Sequence, residues 1–312
     1  MKILIVCSWN QKIYDSFKKD INLGHFIYEQ VEAVKKLGDI EFEVFFIKGK
    51  GILGYLKSII PLNLKVLRCK CDLVHAHYGL SGMVAVMQIF KKVIITFHGT
   101  DINDTKLRWI SKMAMRLSSF NIFASRKLAE NANARKKYSV ISCGVDMEKM
   151  YPMDKQECRK TLNFDRDAKL ILFSHAFDRQ VKNYPLAKKA VDRIDGVELI
   201  ELKGYTRDEV NILMNACDLI LVTSFNESGP LVTKEAMACN KPAVSVDVGD
   251  FKEITGEREG YFIASYEPDD VAAKIEQALE FNKPTNGREL IKKYDSKLVA
   301  QQVKDLYNQL LS

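Results

Sequence analysis

Eleven short runs of β-branched and other apolar residues, separated by stretches of helical periodicity, constrain the fold more than any other feature of this chain. They fall into two sets. The first is KILIVC (2–7), EFEVFFI (41–47), DLVHA (72–76), VIITF (93–97), NIFAS (121–125) and SVIS (139–142). The second is AKLILFS (168–174), VELIEL (197–202), LILVTS (219–224), AVSVDV (243–248) and YFIAS (261–265). Nearly continuous hydrophobic strands divided by helices predict parallel sheets covered on both faces. Two such sets predict two doubly wound α/β domains, which 312 residues are enough to build. Pro152 and the charges of MEKMYPMDKQECRK interrupt the pattern, so the expected domains are 1–150 and 151–295. The closing segment 296–312 is a separate amphipathic helix, with Leu298, Val299, Val303, Leu306, Tyr307 and Leu310 at helical spacing.

The two halves differ in charge. Residues 1–150 carry 24 Lys and Arg against 13 Asp and Glu, whereas residues 151–312 carry 23 against 27. From Val44 to Cys71 there are six basic residues, no acidic ones, and an interleaved set of Ile and Leu. Such a segment suits docking on an anionic bilayer, and equally a helix packed on a sheet with solvated lysines. No recognition motif accompanies it for nucleic acid. MKILIVC is too short in its apolar stretch for a signal peptide, and no run approaches the length of a membrane span. Seven cysteines without framework spacing suit reduced thiols in a cytoplasmic protein, one peripheral on the inner membrane face included.

The stretch SFNESGPLVTKEAMACNKPAVSVDVGD (224–250) puts Glu227 and Glu235 around a Ser228-Gly229-Pro230 step, between two apolar strands. Ligands of parallel sheets collect beyond the carboxyl ends of strands, where helix N-termini point. Pro230 suits the first helical position, where its missing N–H costs nothing. Gly229 admits close approach to the backbone. The free amides of Leu231 and Val232 then form an anion site that suits a diphosphate. Glu235, one turn on, accepts both hydroxyls of a ribose diol, because a carboxylate only accepts. Each glutamate taken alone reads as well as an ordinary helix residue.

Together with its flanks, the stretch resembles the Glu-x7-Glu region of retaining glycosyltransferase family 4. DLVHAHYGLSG (72–82), TFHGTD (96–101) and SCGVDMEKMYP (142–152) are similar to that family's N-terminal landmarks. VKNYPLA (181–187), ELKGYTRDEVNILMNACDLILVTS (201–224) and YEPDDVAAKI (266–275) are similar to its C-terminal ones. The resemblance implies a GT-B fold: two Rossmann-like domains facing across a cleft, with the last helix crossing back onto the N-terminal, acceptor-binding domain. It implies that the C-terminal domain binds a nucleotide-sugar donor.

Residue by residue, Glu235 matches the ribose-binding glutamate and Glu227 the one beside the donor sugar. Ser228, Gly229, Pro230 and Leu231 match the phosphate-binding turn. Lys182 matches the lysine that neutralises the departing diphosphate. The family's arginine five residues earlier is here Phe177, with Arg179 as its substitute. Gly204 and Tyr205 match the loop lining the base. His98 matches a histidine near the donor sugar, with Asp101 to orient it or touch the acceptor; His75 reads as core and His77 as cleft wall. On the acceptor side, Gly24 alone remains of a usual glycine pair. No cofactor or metal is implied, and Asp165-x-Asp167 reads as a solvated turn.

The expected activity is transfer of a sugar, with retention, from a nucleotide-diphosphate sugar to a saccharide or lipid-linked acceptor in cell-surface polysaccharide synthesis. Same-face attack is expected, the departing phosphate taking the acceptor proton. Two rivals share the fold: a catalytically silent nucleotide-sugar-binding subunit of a glycosyltransferase complex, and a nucleotide-sugar epimerase. A dinucleotide oxidoreductase would carry Gly-x-Gly-x-x-Gly after the first strand, where CSWNQ stands instead.

Overall fold

The computed structural model describes residues 1–8, 10, 14–15, 26–49, 51–135 and 137–312. The chain divides into two compact units, Met1–Gly144 with Ser296–Ser312, and Val145–Asp295.

In the first unit, β1 (Lys2–Ser8), β2 (Glu41–Ile47), β3 (Leu73–His77), β4 (Val93–Phe97), β5 (Phe120–Phe123) and β6 (Tyr138–Val140) form one parallel sheet in the order β2-β1-β3-β4-β5-β6. Alternate residues along β1 point into different layers: Leu4 and Val6 pack with the helix residues Leu62, Val66, Val84 and Ala114 on one face. Ile3 and Ile5 pack with Ile27, Val31, Val299 and Val303 on the other. A strand buried on both faces is apolar on both, which is why period-two alternation is absent from β1 and β4.

The helix Ser296–Leu311 belongs to this unit, lying beside the helix Phe26–Lys35. Val299, Val303, Leu306 and Tyr307 are its buried stripe. Leu298, expected on that stripe, is rotated one residue off it and half exposed.

In the second unit, β7 (Lys169–Phe173), β8 (Val197–Glu201), β9 (Leu219–Val222), β10 (Ala243–Val246) and β11 (Tyr261–Ala264) run in the order β11-β10-β9-β7-β8, again all parallel. Strand order reverses between β7 and β9, because β8 lies outside β7 and β10 outside β9. That is the switch point at which loops splay apart and ligands of open α/β sheets bind.

The division lies at Gly144 and Val145, before the boundary expected near residue 150. Met147 and Met150 are buried in the second unit's core. The Arg288 guanidinium donates to the Met147 and Met150 carbonyls at 2.6 Å each. Asn211 and Asn215 accept from the amides of Tyr151 and Met153. Pro152 therefore sits in a strap already fastened to the second unit.

Candidate active site

The loops leaving β7 and β9, on either side of the second unit's switch point, are fastened to one another. Thr223 Oγ1 donates to the Lys182 carbonyl at 3.0 Å and the Asn183 carbonyl at 3.1 Å, and the Phe225 amide donates to the Val181 carbonyl at 2.9 Å. Asn183 holds a left-handed φ of 54°, a conformation asparagine tolerates, and begins the helix Tyr184–Val191.

This loop pair brings Lys182 to Glu227. Lys182 Nζ lies 2.5 Å from Glu227 Oε1, and Ser224 Oγ donates to the same oxygen at 2.8 Å. Both charged side chains are about one-seventh exposed, at 15% and 14%. Each is thus accessible yet held in a partly desolvated setting, where a charge acts more strongly than in bulk water.

Pro230 proves to be the N-cap of the helix Leu231–Ala238, one position before the first helical residue expected of it. Its first turn is closed by Thr233, whose amide and hydroxyl both donate to the Pro230 carbonyl at 3.3 and 2.8 Å. The amides of Leu231 and Val232 have no intrahelical acceptor. Gly229 leads into them, and close packing explains its lack of a side chain. A Cβ there would stand 3.0 Å from Asp250 Oδ2 and 3.2 Å from Lys234 Nζ. Gly249, at φ 63°, backs the same turn, its own Cβ position falling 2.6 Å from Pro230 Cδ.

Beneath the turn lies an ion pair that sequence reasoning missed. Lys234 Nζ is 2.7 Å from Asp250 Oδ2, with exposures of 0% and 5%. No local signal announces it, since its two members stand 16 residues apart in separate elements.

Glu235 is 3% exposed and forms an ion pair with Arg207, Nη2 to Oε1 at 2.6 Å, without the alignment of a directed hydrogen bond. Arg207 was also missed. It opens the helix Arg207–Ala216, fixed by a capping box between Thr206 and Glu209. That helix directly follows Gly204, at φ 85°, and Tyr205, so the expected base-lining loop and the expected ribose glutamate are joined through Arg207. Arg179 is exposed, and its side chain has no hydrogen-bond or ion-pair partner among the described residues. Phe177 stacks on Tyr184 with ring centroids 4.2 Å apart, so the position of the family's arginine is given to packing here.

In the first unit, three histidines stand in a row. His75 is buried, its Nδ1 2.6 Å from the Tyr307 hydroxyl and its Nε2 2.7 Å from Thr96 Oγ1. Burial pushes its pKa down to about 3. His77 stacks on it, and His77 Nδ1 lies 2.9 Å from His98 Nε2. His77 was expected as a cleft wall, but it is fully buried at the end of β3. Of the three, His98 alone is not fully buried, and it packs against the rings of Phe26 and Tyr78 at 4.6 and 4.7 Å. Tyr78 takes a φ of 71°, strained for a bulky residue and gathered at the same strand end.

Asp101 neither touches the His98 ring nor reaches solvent. Its carboxylate accepts from the amides of Gly79 at 3.0 Å, Gly99 at 2.9 Å and His98 at 3.2 Å, shaping the turn that carries the histidine. Burial raises its pKa to about 6, opposed by those same amides. Gly24 lies outside the described residues.

Asp165 and Asp167 form an exposed turn, the Asp167 amide donating to Asp165 Oδ1. Among the described residues no group of three or more His, Cys, Asp or Glu side chains stands together as a metal cluster would. All seven cysteines are free thiols. Burial pushes the Cys7, Cys217 and Cys239 thiols up to about 12, which makes them poor nucleophiles.

Comparison with known proteins fits this geometry. Residues 26–149 match the model of Glycosyltransferase Family 4, and residues 196–297 match that of Glycosyl transferases group 1. The uncharacterized glycosyltransferase MJ1178 of Methanocaldococcus jannaschii is 26% identical, over 94% of this chain and 91% of its own length. The N,N'-diacetylbacillosaminyl-diphospho-undecaprenol alpha-1,3-N-acetylgalactosaminyltransferase of Campylobacter jejuni is 24% identical over 55% of this chain, which spans about half of that relative, 54%. Among solved structures, Anabaena Alr3699/HepE in complex with UDP superposes with a TM-score of 0.76 at 17% identity, over 99% of this chain and 100% of that one. The two doubly wound units form a GT-B fold, and the chain belongs to the glycosyltransferases, of the family 4 type in its first half and group 1 in its second.

Proposed function

We propose that the protein is a retaining, metal-independent hexosyltransferase that moves a sugar from a nucleoside diphosphate sugar to a saccharide or lipid-linked acceptor in cell-surface polysaccharide synthesis. The observation that carries this reading is the Lys182–Glu227 pair, held by the joined loops after β7 and β9 at the switch point of the second unit's sheet, with the helix Leu231–Ala238 beginning four residues after Glu227. The diphosphate sits on the two amides, which the Ser228-Gly229 turn leads into. Glu235 accepts the ribose hydroxyls, and Gly204 and Tyr205 line the base. UDP is the nucleotide held by the Anabaena neighbour, which makes it the first to try here.

As the bond to the anomeric carbon breaks, negative charge gathers on the diphosphate. Lys182 exchanges its contact with Glu227 for the departing phosphate, and the helix amides meet the same charge; no metal is then needed for that task. The acceptor attacks on the face the diphosphate leaves, and the phosphate takes its proton. His98, in the first unit, is the residue proposed to contact a sugar hydroxyl. The activity is proposed for the cytoplasm, where nucleotide sugars are the donors at hand.

The test is turnover of donor in the presence and absence of acceptor, with the product's anomeric configuration read by proton NMR. Acceptor-dependent turnover with the donor's configuration kept is the expected result. An inverted product would sink the same-face mechanism, and nucleotide binding without turnover on any acceptor would favour the silent-subunit reading.

A further inference from the structure

One layer of the first unit is apolar on its outside as well as its inside. The helices Gly51–Lys57, Ile59–Cys69 and Arg108–Leu117 all pack against the helix Gly79–Val86, on the sheet face lined by Leu4 and Val6. Their inward residues, Leu62, Val66 and Ala114, belong to the core. Their outward faces are apolar as well, apart from a few basic residues. Ile52, Leu53, Leu56, Ile60, Leu64 and Leu67 are between 46% and 72% exposed. Trp109, Met113 and Leu117, spaced four residues apart on the third helix, are 62%, 41% and 60% exposed.

Met87, Ile89 and Phe90 add to this set in the turn that leaves the helix Gly79–Val86. Together these make twelve of the twenty exposed large apolar side chains among the described residues. The helices Phe26–Lys35 and Ser296–Leu311, which cover the other face, contribute only Leu298 and Leu311. Single exposed apolar residues need no explanation, but a contiguous set marks an interaction surface.

Charge selects the partner. Between Val44 and Phe120 the sequence holds twelve Lys and Arg, three Asp and no Glu, and one of the three, Asp101, is buried. Lys57, Arg68 and Arg116 stand exposed among the apolar side chains. A second copy of the chain is a poor occupant, because a two-fold interface would set these basic groups against their own images without an acidic partner. An anionic lipid surface satisfies both properties, since apolar side chains enter the headgroup boundary while Lys and Arg meet the phosphates. We propose that this layer docks the protein on an anionic bilayer, with Trp109 and the Ile52–Leu67 segment at the lipid boundary. The proposal rests on the first unit alone and not on the donor site.

The test is co-sedimentation of the full chain with vesicles of phosphatidylcholine, and of phosphatidylcholine with one-third phosphatidylglycerol. The expected result is binding to the anionic vesicles only, weakened by salt, with a blue shift of tryptophan emission that Trp109→Phe removes. The double variant Ile60→Gln, Leu64→Gln is expected to bind at least tenfold more weakly with an unchanged thermal midpoint, since both side chains are already in water. Lys57→Gln, Arg68→Gln separates the charge contribution from the apolar one. Equal binding to both vesicle types, binding to neither, or wild-type binding by the apolar double variant would overturn the proposal. A concentration-dependent dimer abolished by Ile60→Gln, Leu64→Gln would overturn it too, and would assign the face to a second copy.

Discussion

Lys182 and Glu227 form a contact that the proposed reaction must break, since one ammonium cannot serve both a glutamate and a departing diphosphate at full strength. Lys182→Met, which keeps the side chain's length and removes its charge, should lower kcat by about a hundred- to a thousandfold. Steady-state rates at saturating donor check this, and an unchanged kcat would remove Lys182 from the reaction. His75 makes a different kind of prediction. Burial holds it neutral, its pKa depressed from 6.5 to about 3. The unfolded chain therefore binds a proton below pH 6.5 that the folded one refuses, so this contribution to stability is present above pH 6.5 and lost as pH falls towards 3. Asp101 works in the opposite direction: its raised pKa of about 6 favours the fold at low pH and loses that contribution as pH rises through 6. A variant isolates the histidine's share. The destabilisation caused by His75→Gln should be smaller at pH 5 than at pH 7.5 by about 2 kcal/mol, measured by urea unfolding. An equal effect at both values would mean that the buried ring already takes up its proton.

The helix Leu231–Ala238 is the element on which the proposed donor site depends, and its support comes from below. Lys234 and Asp250 are paired out of contact with water, directly under Gly229. Removing one member of such a pair leaves a buried charge uncompensated, so Lys234→Met should destabilise the protein by about 3–5 kcal/mol. Adding Asp250→Asn removes the second charge and should recover part of that loss, as denaturant midpoints would show; a double variant less stable than the single one would contradict the account. This element also marks where sequence reading stopped. The central strands were legible because residues buried on both faces must be apolar, and that pattern is local. Glu227, Glu235 and the Gly229-Pro230 step were legible because a turn at a strand end is local too. Arg207 was not, since it reaches Glu235 from a helix 28 residues earlier in the chain. Neither was the Lys234–Asp250 pair, which two charged residues in separate elements cannot announce. Pro230 differed by one position, where the cap rather than the first helical residue takes the extended backbone.

Across the whole molecule, each unit carries its own core and its own switch point, and the last helix completes the first unit by seating Tyr307 on His75. The division at Gly144 was blurred in the sequence because the strap through Pro152 looks like a linker until Arg288, Asn211 and Asn215 are seen to hold it. The second unit makes the central claim: its switch point binds a nucleoside diphosphate, with Glu235 on the ribose. Two lost hydroxyl bonds to a carboxylate, at the low end of about 1.5 kcal/mol each for charged hydrogen bonds, amount to about a hundredfold in affinity. The most direct measurement is titration calorimetry of UDP, GDP and ADP with the wild type and with Glu235→Ala. The account predicts that one nucleotide binds the wild type and binds the variant about a hundredfold more weakly. No binding of any of the three to folded wild type, or equal binding to the variant, would contradict it.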